Sequence, residues 1–146
     1  MSRAEEAVAA FRGGLSCSQA IVATFGPQLG LSRDHALSLA SGFGGGMGMA
    51  ETCGAVTGAF MILGLLQPGP TSATPQGRAE TKVAVAKFTE RFKSRCGSAC
   101  CRELLGCDVS SPEGLDRARK AGTIAAVCPN VVRNACEILE ELIPTA

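Results

Sequence analysis

The sequence predicts an all-α fold, a compact multi-helix domain in which four cysteines converge from helix N-termini. Three observations support the helical class. Ala, Val, Leu and Ile recur at helical spacing along most of the chain. Cap residues and glycine or proline stops bound those segments. No alternating apolar–polar run of useful length suggests a strand. With no Trp or Tyr and only six Phe, the core is built from aliphatic residues, which suits close helix packing.

Ala4 to Phe11 reads as a first helix, ended by Gly13-Gly14. Ser16 to Gln19 is a capping box, with Ser as cap and Gln reaching back from three positions on. It opens a second helix through Ala20-Ile21-Val22-Ala23-Thr24-Phe25, stopped at Gly26-Pro27. Ser32 opens a third, running to about Ser41. Gly42-Phe43-Gly44-Gly45-Gly46-Met47-Gly48 holds five glycines in seven positions, which helix and strand both resist. It is expected to be a loop whose backbone closely approaches something. Cys53 to Leu66 is an almost wholly apolar helix with Gly54, Gly58 and Gly64 along it, predicted to be buried. Residues 68–75 read as a flexible internal loop within a single domain spanning 1–146. Gln76 to Lys93 returns to helical period, and Cys101 to Leu105 forms a short helix ended by Gly106. Ser111-Pro112-Glu113 starts another, and Cys128-Pro129 is expected to start the last, through Leu142.

Composition excludes several partners. Lys plus Arg total 14 against 13 Asp plus Glu, and the basic residues from Arg78 to Arg102 are interleaved with acids. Without Trp or Tyr to stack on bases, nucleic acid is not expected as a partner. The longest apolar run, Ala55 to Leu66, falls short of the roughly 20 residues of a membrane span, so no membrane insertion is expected. The N-terminal residues carry no apolar secretory run and no twin arginine, so the chain reads as soluble and cytoplasmic. In a reducing compartment eight cysteines point to metal binding or redox chemistry rather than to a disulfide scaffold.

Four cysteines sit where a helix is expected to begin: Cys17, Cys53, Cys101 and Cys128. A thiol there meets the positive end of the helix dipole and free N–H groups, which favours the thiolate. The paired spacing of zinc ribbons is missing, so these four meet only through the fold. Scattered thiolates that converge suit an iron–sulfur cluster, with N–H groups on its sulfurs. Cys96, Cys100 and Cys107 crowd around Cys101 and read as a second metal patch or as a place where Cys100 and Cys101 exchange the ligand role; the favoured reading is that Cys96, Cys107 and Cys136 are small apolar core residues. Cys136 lies two turns and about 80° round its helix from Cys128.

These residues resemble the family of redox-active proteins named for the pattern Cys, Gly-Cys-Ala-x-x-Gly, Cys, Cys. The likeness runs from Ser16-Cys17-Ser18-Gln19-Ala20 through the glycine run to Thr52-Cys53-Gly54-Ala55-Val56-Thr57-Gly58, then Cys101-Arg102-Glu103-Leu104-Leu105-Gly106 and Cys128. One departure is the order Cys-Gly-Ala at residues 53–55. The resemblance implies that the four family cysteines are Cys17, Cys53, Cys101 and Cys128. It also implies a helical domain similar to one in split-Soret cytochromes, where such cysteines suit an iron–sulfur cluster. No Cys-x-x-Cys-His is present for haem.

Other signals are weaker. His35, the only histidine, sits in a polar first turn, and the glycine run lacks the spacing of a phosphate-binding loop. Met47 and Met49 suit a soft metal but suit core filling better, and Glu51 reads as a solvated carboxylate rather than a proton donor for Cys53. The first expectation is therefore an electron-transfer protein with an iron–sulfur cluster on the four cysteines. A thiol–disulfide protein cycling two of them, and a zinc or copper thiolate module without redox turnover, are the alternatives. A redox partner protein is expected, with a homodimer or docking on a larger redox system as the form of association.

Overall fold

The computed structural model describes residues 1–144; the last two residues of the expected 1–146 unit lie outside the described residues. The described residues form nine α-helices and no strand: α1 (Arg3–Arg12), α2 (Cys17–Phe25), α3 (Arg33–Ala40), α4 (Gly54–Leu65), α5 (Gly69–Ser72), α6 (Pro75–Cys96), α7 (Cys101–Leu105), α8 (Pro112–Lys120) and α9 (Thr123–Leu142). Local chemistry sets most of the starts. Ser2 and Ser16 each complete a capping box, with Glu5 and Gln19. The side chains of Ser32, Thr74 and Ser111 accept backbone N–H bonds at the starts of α3, α6 and α8. Residues 68–75 hold the single turn of α5, and Pro75 already belongs to α6.

The last helix departs from expectation. It begins at Thr123 behind Gly122, whose φ is 76°, so Cys128 and Pro129 lie inside α9 rather than at its start. After the proline Val131, Val132, Ala135, Ile138 and Leu139 are buried, and before it Ile124 and Val127 pack partly buried against the smaller and the main cluster; that packing outweighs the lost hydrogen bond to the Ala125 carbonyl. The glycine run is also more ordered than a plain loop. Gly45, Gly46, Met47 and Gly48 have φ of 62°, 62°, 62° and 70°, winding a left-handed turn that only glycine tolerates cheaply.

α2 packs along α4, α1 lies against α9, and α6 closes over α9 and α4. Gly58 makes the α2–α4 approach possible: a Cβ there would stand 3.1 Å from the Ser18 carbonyl and 3.2 Å from Ile21 Cβ. The main core is built around Ile21, Phe25, Ile62, Leu63, Phe88, Phe92, Ile138 and Leu139, all fully buried. Phe88 meets Phe60 edge-on at 6.1 Å and stacks on Phe92 at 5.8 Å. A second, smaller cluster holds Ala50, Cys101, Val109 and Ala118, with Leu105, Cys107, Leu115 and Ile124 around it. No described helix is long and apolar enough to cross a membrane.

Candidate functional site

A cavity lies at the seam between the two apolar clusters. Its wall includes Cys17, Cys53, Cys101 and Cys128, together with Phe11, Leu104, Leu115 and Val131. The space is about 110 Å³, several times the roughly 10–15 Å³ that one water requires. Cys96, Cys100, Cys107 and Cys136 do not line it.

Each cysteine reaches the cavity by a different local device. Cys17 is the first residue of α2, behind the Ser16 cap. Cys53 is itself the cap residue of α4. Cys101 opens α7, and Cys128 projects from the second turn of α9. Cys53 and Cys101 are held side by side by a short antiparallel pairing around Thr52 and Cys100. In it the Cys53 N–H donates to the Ala99 carbonyl at 2.8 Å and the Cys101 N–H to the Glu51 carbonyl at 2.6 Å.

Two glycines let the backbone close around these sulfurs. A Cβ on Gly46 would stand 2.4 Å from the Glu51 nitrogen and 2.9 Å from Cys101 Cβ. One on Gly54 would stand 3.0 Å from the Ser18 nitrogen and 3.2 Å from Cys17 Cβ. Arg102 braces the outer side of the left-handed turn. Its guanidinium donates to the Met49 carbonyl at 3.3 Å and faces Glu51 and Asp108 at 4.0 Å each.

The thiols do not respond alike. The Cys128 and Cys53 sulfurs beside it, followed by burial, hold the Cys17 thiol well above its ordinary value, its one S–H being available to either neighbour in turn. Cys53 is lowered by accepting from Cys17 and, against the opposing effect of burial, by the N–H groups of Ala55 and Val56. Cys128 is lowered by the same Cys17 thiol, although burial and the Cys53 charge oppose it. Burial pushes Cys101 up to about 12, with charge on Cys53, Cys128, Cys100 and Cys107 adding to it. Among the three cysteines that begin helices, the thiolate-favouring effect of the helix start goes with a lowered value at Cys53 alone, where the Cys17 thiol contributes more than the N–H groups. At Cys17 and Cys101, donation and desolvation outweigh it.

The outer cysteines fall into place around this centre. Cys96 packs partly buried against the main core and is raised mainly by burial and also by the Cys53 charge. The Cys100 thiol donates to the Ala50 carbonyl at 3.6 Å. Cys136 is fully buried in the main core and pushed up to about 12 by burial. All eight cysteines are free. Among the described residues no three His, Cys, Asp or Glu side chains are gathered as a single-ion metal centre. The donor set is nevertheless all thiol and its surroundings apolar, which suits soft thiophilic groups. The apolar wall residues carried no chemical motif, so only the fold reveals them.

Fold and site together define a helical protein with a multi-thiol cavity. The family described as "Putative redox-active protein (C_GCAxxG_C_C)" matches residues 15–142, and the chain belongs to that family. No curated protein and no solved structure matches the chain.

Proposed function

We propose that this protein transfers electrons through an iron–sulfur cluster held by Cys17, Cys53, Cys101 and Cys128. The supporting observation is that thiols from four helices distant in sequence line one apolar cavity with room for more than a single atom. A cluster, when bound, supplies one-electron chemistry whose potential depends on nearby charge, hydrogen bonds and solvent exposure. The protein's own part is to bind, orient and dry the site. Phe11, Leu104, Leu115 and Val131 exclude water from the cavity wall. The Cys17 thiol and, after it, the N–H groups of Ala55 and Val56 at the start of α4 favour negative charge on Cys53. Cys17 and Cys101 hold their protons in the unloaded protein, so loading must release them. An electron carrier exchanges with a donor and an acceptor, which makes a redox protein the natural partner, met as a homodimer or as part of a larger assembly.

One observation favours a second reading. Cys17 keeps its proton while Cys53 and Cys128, which line the same cavity, are shifted toward the thiolate, a pairing of thiol and thiolate that suits disulfide formation. In that case two thiols lose two protons and two electrons to an external oxidant and one S–S bond forms.

Anaerobic purification, an absorption spectrum, and iron, sulfide and zinc assays separate the possibilities. Visible charge-transfer bands with matching iron and sulfide support the cluster. A colourless protein losing two thiols on mild oxidation replaces it with the disulfide cycle. Stoichiometric zinc in a colourless protein replaces both with a thiolate-metal module.

A further inference from the structure

We propose that a groove beside the cysteine cavity binds a small organic anion with an apolar body. The groove runs over Phe11, Leu15, Ile124 and Pro129 between Arg12 and Arg119, with a volume of about 540 Å³. That lies within the roughly 300–1,000 Å³ typical of small-molecule sites. Its charge is one-sided. Arg12 and Arg119 are both exposed, no carboxylate lines the groove, and neither guanidinium forms an ion pair or side-chain hydrogen bond among the described residues.

The other polar side chains there are already engaged. Ser16 and Gln19 satisfy each other in the capping box, and the Gln19 amide donates to the Leu37 carbonyl at 3.1 Å. The free donors are thus two guanidiniums, suited to a carboxylate, sulfonate or phosphate. The floor beneath them is aliphatic and aromatic, suited to a hydrocarbon or ring.

Phe11, Ser16 and Ile124 line both the groove and the cysteine cavity. A molecule in the groove therefore lies about one side-chain layer from the cysteine site. A role as substrate or electron carrier for that site rests on the proposed function; the binding itself does not.

The test uses the metal-free full chain and two fluorescent probes of similar apolar body, anionic 8-anilinonaphthalene-1-sulfonate and neutral N-phenyl-1-naphthylamine. The anionic probe should saturate one site, weaken with added salt, and bind about tenfold more weakly to the Arg12→Gln/Arg119→Gln double variant. Arg33→Gln, outside the groove, should leave its affinity unchanged. The proposal is overturned by no saturable binding, by equal affinity for the neutral probe, by unchanged affinity in the double variant, or by an equal loss in Arg33→Gln. Circular dichroism melts of the variants show that each is folded. Because the titration needs no iron and no cysteine, its failure is distinct from failure of the cluster reading.

Discussion

Cys17 and Cys101 both open helices, yet both keep their protons more firmly than an ordinary thiol. The helix dipole contributes only a partial charge; it is outweighed at Cys17 by the neighbouring Cys128 and Cys53 sulfurs and then burial, and at Cys101 by burial. In the metal-free protein this has a pH consequence. The folded-state values of Cys17, Cys101 and Cys136 are raised, so their contribution is fully present below the unfolded value of 9.0 and is lost as pH rises through the folded values, about 12 for Cys101 and Cys136. In that window the unfolded chain has released protons that the folded chain still holds, so stability falls with pH. Cys53 and Cys128 are shifted the other way, and their contribution is complete above 9.0 and lost as pH falls through their lowered values. Urea midpoints under reductant and chelator should therefore decline steadily between pH 9 and 11; a flat or rising midpoint contradicts the assignment. At the same scale, Cys101→Ser should abolish cluster loading. Cys136→Ala should retain iron and sulfide while costing about 1–2 kcal/mol, since it removes a buried sulfur from the main core. Loss of metal in Cys136→Ala contradicts the ligand set.

At the scale of elements, the glycines divide by what surrounds them. Gly46 has φ of 62° and no room for a Cβ, whereas a Cβ on Gly64, in the last turn of α4, meets nothing within 4 Å. Gly46→Ala should cost about 2–4 kcal/mol and loosen the turn that carries Glu51 toward Cys101. Gly64→Ala should stabilise by about 0.5 kcal/mol through lost unfolded-state entropy. Thermal melts of the two variants moving in the same direction would contradict this contrast. The Arg91 and Arg95 pairs with Glu141, between α6 and α9, are exposed. Glu141→Gln should change stability by less than about 1 kcal/mol in a urea titration.

Over the whole molecule, the cavity joins α2, α4, α7 and α9, which meet nowhere in sequence. A group binding all four thiols in the folded state alone stabilises it by mass action. Reconstitution with iron and sulfide should raise the melting temperature by several degrees in the native chain and leave Cys101→Ser unmoved. An equal rise in that variant would place the metal elsewhere.

Much of this was legible in the sequence because helices obey local rules. The caps at Ser16, Ser32 and Ser111, the stop at Gly106 and the buried apolar run before Leu66 depend on near neighbours and hold in the structure. Belonging to a redox-active family was legible too, since its motifs are short stretches around Cys17, Cys53, Cys101 and Cys128. The start of α9 was not, because a proline inside a helix looks locally like one at its beginning, and the packing of Ile124 and Val127 against the rest of the fold decides between them. Tertiary structure alone decided that Cys17 shares a cavity with Cys53 and Cys128, that Phe11 and Val131 wall the cavity, and that Arg12 and Arg119 flank one groove. Protonation, desolvation and shared walls depend on which atoms meet across the fold, and chain spacing carries no measure of that.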